Sequence, residues 1–95
     1  MKNYDDYEML NVKKELANIF LNKRLRFERS FKEYDYTNDE IKQSADNLVT
    51  AFMIEKWDSD WEENEQASFF YEATACEMRI VFEREMIELY SDINS

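Results

Sequence analysis

The side chains able to do chemistry in this chain are almost all carboxylates: twenty-two Asp and Glu in 95 residues, with one cysteine and no histidine. Glu62 and Glu65, three residues apart, have the spacing for paired acid–base work in a cleft. On a long helix, however, they stand in water and lack the enclosure that such work needs. The segment Asp58-Ser59-Asp60-Trp61-Glu62 opens like a calcium loop. It fails because Glu63 occupies the position that needs glycine and Phe69 the one that needs a bidentate carboxylate. Without histidine the commonest general base and metal ligand is missing, and Glu-x-x-His di-iron pairs are ruled out. One cysteine cannot build a zinc site, and without glycine there is no phosphate-cradling loop. Cys76, between Ala73 and Ile80 on an apolar stripe, reads as core filler. The expectation is a binding protein that is not an enzyme, with no metal and no cofactor.

What the carboxylates offer instead is charge. Twelve basic residues leave a net charge of −10, which phosphate backbones and anionic membrane surfaces would repel. The excess is uneven. Residues 1–36 carry eight basic and seven acidic side chains, whereas residues 37–95 carry four and fifteen. The densest stretch runs from Glu55 to Glu65, where six of eleven residues are acidic. Acidic residues in a first helical turn offset the helix dipole, which accounts for Asp60, Glu62 and Glu63. It does not account for Glu65, Glu72, Glu77, Glu83, Glu85 and Glu88, whose local cations are Arg79 and Arg84. Arg24, Arg26 and Arg29 of the first helix are further candidate partners.

The elements that must position this charge are helical. The chain has no glycine and no proline, the residues that hairpins, edges and tight turns require. Its 44% hydrophobic and 16% aromatic content is enough for a core and too much for a disordered acidic chain. Thr37-Asn38-Asp39-Glu40 and Ser59-Asp60-Trp61-Glu62 both have the capping-box pattern. They predict an all-α, three-helix bundle in a single domain over 1–95, with helices at about 4–35, 38–57 and 60–91. The pattern shows no internal repeats, linkers or low-complexity tracts. Met1–Asp6 lacks a signal-peptide pattern, and no apolar run approaches the ~20 residues that span a bilayer. A single cysteine gives no disulfide. A cytoplasmic protein that touches neither membrane nor nucleic acid directly is expected.

Apolar periodicity assigns Val12, Leu16, Ile19, Phe20, Phe27 and Phe31 to the first helix's inner face, leaving Leu10, Leu21 and Leu25 on another. On the second helix Ile41, Ala45, Leu48 and Phe52 form one stripe. The third helix has two. Phe69, Ala73, Cys76, Ile80 and Ile87 form one, and Ala75, Met78, Phe82, Met86 and Leu89 form another, nearly opposite. A helix apolar on two sides must be covered on two sides, within the chain or by an isologous homodimer. Trp57 and Trp61 flank the acidic junction, either covering the end of the bundle or anchoring a partner.

Carboxylates three or four residues apart on a helix stand about 5–6 Å apart at Cβ, comparable with successive phosphates of a duplex strand. The segment Asp39-Glu40-Ile41-Lys42-Gln43-Ser44-Ala45-Asp46-Asn47-Leu48-Val49, followed by the acidic Trp57-to-Glu65 stretch, resembles phage anti-restriction DNA mimics. In those proteins a helix carrying an Ala-Asp-Asn-x-Val run precedes acidic segments. The resemblance implies a helical, dimeric, DNA-shaped inhibitor of restriction-modification enzymes in the host cytoplasm. This chain departs from that pattern by a basic-rich first helix and by lacking an acidic C-terminal tail, and an anti-CRISPR target fits equally well. The expected partner is a basic nucleic-acid-binding protein of the host. The expected contact set is Glu55, Asp58, Asp60, Glu62, Glu63, Glu65 and Glu72, with Trp57 and Trp61. The rival expectation is a helical adaptor or antitoxin-like partner that binds through an apolar face bearing Leu21, Leu25 or Met86.

Overall fold

Two reciprocal capping boxes start the first two helices. The Glu8 N–H donates to the Asp5 carboxylate at 2.7 Å, and the Asp5 N–H donates back to Glu8 at 3.1 Å. Thr37 and Glu40 repeat the exchange at 3.1 and 2.9 Å. Each box satisfies donors that a helix start would otherwise leave orphaned, worth about 1 kcal/mol. The computed structural model describes residues 2–95 and is all-α. Helix α1 spans Asp6–Ser30 and α2 Asn38–Lys56. A short 3₁₀ turn (Trp61–Glu63) then leads into a rod made of α3 (Glu65–Phe70), a π turn (Tyr71–Ala75) and α4 (Cys76–Ile93). The bundle measures 46 × 22 × 18 Å, with α1 and the rod running together and α2 antiparallel to both.

The core contains the stripes expected of α1 and α2: Val12, Leu16, Phe20, Phe27, Phe31, Ile41, Ala45 and Phe52 are buried, joined by Val49 and Met53. Ile19 and Leu48 pack against it, half-buried. The first helix ends at Ser30, short of the predicted residue 35. Phe31 turns inward there, and an aromatic knot closes the end: Phe31 lies 5.0 Å from Tyr90 and 5.2 Å from Tyr36, ring to ring. The Tyr36 N–H donates to the Tyr90 hydroxyl at 2.9 Å, tying the link to α4.

The third helix differs most from its sequence pattern. It does not start at the Ser59–Glu62 box, because Ser59 caps nothing and Asp60 makes no side-chain cap. The cap is Asn64, whose side chain accepts the Ala67 N–H at 3.1 Å. The π turn then inserts one residue, turning everything beyond it by about 100°. That rotation brings Ala67 and Phe70 before the turn onto the same buried side as Ala75, Phe82 and Met86 after it. Of the two stripes, the one bearing Ala75, Phe82 and Met86 faces the core, with Met78 and Leu89 half-buried. The other is dispersed: Phe69, Ala73 and Ile80 are exposed, and Cys76 and Ile87 are half-buried. Among the described residues no helix is long and apolar enough to cross a membrane.

Between α2 and the 3₁₀ turn, Asp58 has φ 131°, left-handed space where only glycine is comfortable. Such a residue costs of order 1–3 kcal/mol. In Asp58→Gly the Cβ clash disappears, so the melting temperature should rise by roughly 4–8 °C for each kcal/mol relieved. A thermal melt followed by circular dichroism checks this, and an unchanged or lower midpoint would show that the junction carries no such strain.

Candidate functional site

The acidic stretch becomes one end of the rod because the N-terminal segment folds back onto it. Gln66 clamps Tyr4 from both sides: the Tyr4 N–H donates to its carbonyl at 2.8 Å, and its amide donates to the Tyr4 carbonyl oxygen at 2.7 Å. The Asn64 amide donates to the Lys2 carbonyl at 2.9 Å, and the Tyr4 hydroxyl donates to the Lys56 carbonyl at the end of α2. These bonds bring the start of α1 beside the α2–α3 junction. The tip therefore gathers Asp5, Asp6 and Glu8 with the six carboxylates of residues 55–65, against Lys2 and Lys56 among the described residues. Sequence reasoning missed this contribution, because the first helix has a near-zero overall balance. The signal was its internal asymmetry: acidic at its start, and basic at Lys23, Arg24, Arg26, Arg29 and Lys32 further along.

All seven expected contact carboxylates, Glu55, Asp58, Asp60, Glu62, Glu63, Glu65 and Glu72, are exposed, and none lies in an ion pair among the described residues. Lys56 feels the charge of Glu55 but forms its ion pair elsewhere. It is paired with Glu15, whose hydrogen bond holds the ammonium above its ordinary value against the opposing effect of burial. The remaining acidic residues divide. Glu85 reaches Arg24 of α1 at 3.1 Å, and Glu83 takes Arg79 at 2.7 Å. Among the described residues Glu77 and Glu88 have no ion-pair partner, and Arg26 and Arg29 hold no acidic residue of α2 or α4.

Two parts of the expected contact set need correction. Trp57 is only 2% exposed. Its indole packs edge-on against Tyr4 at 5.5 Å and against Phe70 at 5.6 Å, and its N–H points to Gln66 at 3.4 Å. A side chain enclosed this way is core and cannot anchor a partner. Met86, expected on an apolar docking face, is likewise fully buried. Trp61 remains half-exposed, its ring 5.1 Å from Tyr71.

The second correction concerns spacing. Residues 57–64 leave the α-helix, so these carboxylates do not follow a regular helical ladder with phosphate-like intervals. Among the described residues no three acidic or cysteine side chains converge closely enough to hold a metal ion. The tip is a splayed anionic cap, suited to filling a cationic concavity and not to gripping one ion. Comparison with protein-family models, curated proteins and solved structures finds no match to this chain.

Proposed function

We propose that this chain is a non-enzymatic acidic inhibitor that inserts its anionic tip into the nucleic-acid groove of a basic, DNA-handling protein. A restriction-modification enzyme or a CRISPR effector of a bacterial host, met in the host cytoplasm, is the target class that the sequence resemblance suggests. The observation that carries the reading is the exposed seven-carboxylate surface, none of whose members is in an ion pair among the described residues. Unneutralised like charge costs stability, and a cationic groove would relieve that cost. The tip would gain the counterion release that nucleic acid gains in the same place. At 22 × 18 Å, the bundle's cross-section is comparable in girth to a duplex.

The test is a column of immobilised chain, loaded with bacterial lysate and eluted with a salt gradient. A basic nucleic-acid-binding protein should leave at moderate salt, and also on addition of duplex DNA. The triple variant Glu62→Lys, Glu63→Lys, Glu65→Lys should retain it at least about tenfold less well while keeping its helical circular dichroism. Retention indifferent to salt, to DNA and to charge reversal would exclude the mimic. It would favour the second reading, a helical adaptor bound through an apolar face, for which the exposure of Leu21 and Leu25 speaks.

A further inference from the structure

The seam between α1 and the α3–α4 rod is lined on its open side by large apolar side chains that nothing in the chain covers. Leu10 and Leu21 of α1 are 49% and 55% exposed, and Phe69 and Val81 of the rod 72% and 44%. The π turn places these last two together. In an unbroken α-helix their twelve-residue separation would set them about 120° apart around the rod, and the π turn brings them onto one line beside α1. Two grooves follow one another along the seam. One, of about 440 Å³, lies between Leu10, Lys13 and Phe69 near the acidic tip. The other, of about 340 Å³, lies between Ala17, Leu21, Met78 and Val81 and ends at the Arg24–Glu85 pair.

We propose that this seam is an isologous homodimer interface in which a second copy lies antiparallel to the first. Phe69 of each copy then enters the Leu21–Val81 groove of the other. A two-fold axis requires that each contact be made twice by the same two surfaces, and the seam supplies both halves: a protruding ring towards one end and an apolar groove towards the other.

Charge selects the orientation. Lys13 in the first groove, its neighbour Lys14 on α1, and Glu77 in the second groove are without ion-pair partners among the described residues. Near the two-fold axis of an antiparallel pair they come opposite one another. The same arrangement puts the two acidic tips at opposite ends of a 46 Å rod, several Debye lengths apart at physiological salt. A parallel pair would press them together. The size is also sufficient. A strip two helices wide and about twenty residues long offers roughly 600 Å² of plan area, near the ~800 Å² that each partner of a stable interface contributes. The inference does not depend on the tip's target, and its test reads none.

Sedimentation equilibrium of the purified chain across a concentration series should return twice the 11.6 kDa chain mass. Phe69→Glu and Val81→Glu, both at exposed positions, should each weaken the dimer at least about tenfold with unchanged helicity. Leu10→Lys serves if either variant misfolds. Lys13→Glu with Lys14→Glu should also weaken it, and adding Glu77→Lys should restore it. In a Cys76→Ser background, a mixture of Phe69→Cys and Val81→Cys chains should oxidise mainly to the mixed disulfide. A monomer mass at all concentrations would overturn the proposal, whether the seam then serves another protein or none. So would a dimer indifferent to Phe69 and Val81, or a dominant 69–69 disulfide, the mark of another register.

Discussion

Trp57→Ala is expected to cost the fold about 3–5 kcal/mol. The indole is the bulkiest of the fully buried side chains. It is the post around which the acidic tip is assembled, with Tyr4 on its edge, Phe70 beside it and Gln66 at its N–H. Removing it leaves a cavity and frees Gln66 from one of the groups it orients, so the clamp on Tyr4 loosens too. Against a total stability of about 5–15 kcal/mol, that loss leaves little margin. Urea unfolding followed at 222 nm would measure it. A change below about 1 kcal/mol would mean that the indole stands in solvent after all. The result also bears on function: lost partner binding in this variant would report unfolding of the tip, whereas Trp61 can be replaced to ask about contact.

The second large effect belongs to Arg79. Its guanidinium binds Glu83 one turn along α4 and Asp46 of α2 at 3.3 Å, the ion pair that ties those two helices. Burial disfavours its charge, but the hydrogen bonds to Glu83 and Cys76 outweigh this and raise its affinity for the proton. Glu83 is 9% exposed, so Arg79→Met would leave a largely buried carboxylate without its ion-pair partner. The expected loss is about 3–5 kcal/mol. The double variant Arg79→Met, Glu83→Leu should recover most of it, because an apolar pair of similar volume removes the desolvation cost together with the attraction. Chemical denaturation of the single and double variants checks this cycle. Additive losses would show that Glu83 is well hydrated and that the pair matters little.

Several features were legible without coordinates because they depend on neighbours in sequence. The absence of glycine and proline excludes most non-helical folds whatever the packing. The Thr37–Glu40 box starts α2 where its pattern says, since a cap is satisfied within four residues. The single stripe of α2 leaves only one side to bury, and on α1 the six-residue stripe outweighs the three leucines of its other face. The Ser59–Glu62 box has the same pattern and fails. Asn64 offers a competing cap, and its amide can also reach the Lys2 carbonyl from where α3 starts. Trp57 was ambiguous because its periodicity says only that it ends α2. The contribution of Asp5, Asp6 and Glu8 to the tip could not be read from overall charge, since it arises from a fold-back spanning about sixty residues.

By itself, then, the sequence determined the helical class, the inner faces of α1 and α2, and the acidic surplus of residues 37–95. These follow from backbone preferences, short-range periodicity and composition, which no tertiary contact can undo. Only the tertiary structure decided which apolar stripe of the third helix is covered, because two nearly equal stripes compete and a one-residue π insertion re-aims the rod between them. Packing also decided that Trp57 lies inside and that the carboxylates cap a tip. Both depend on how distant segments close over one another, a choice that local patterns leave open.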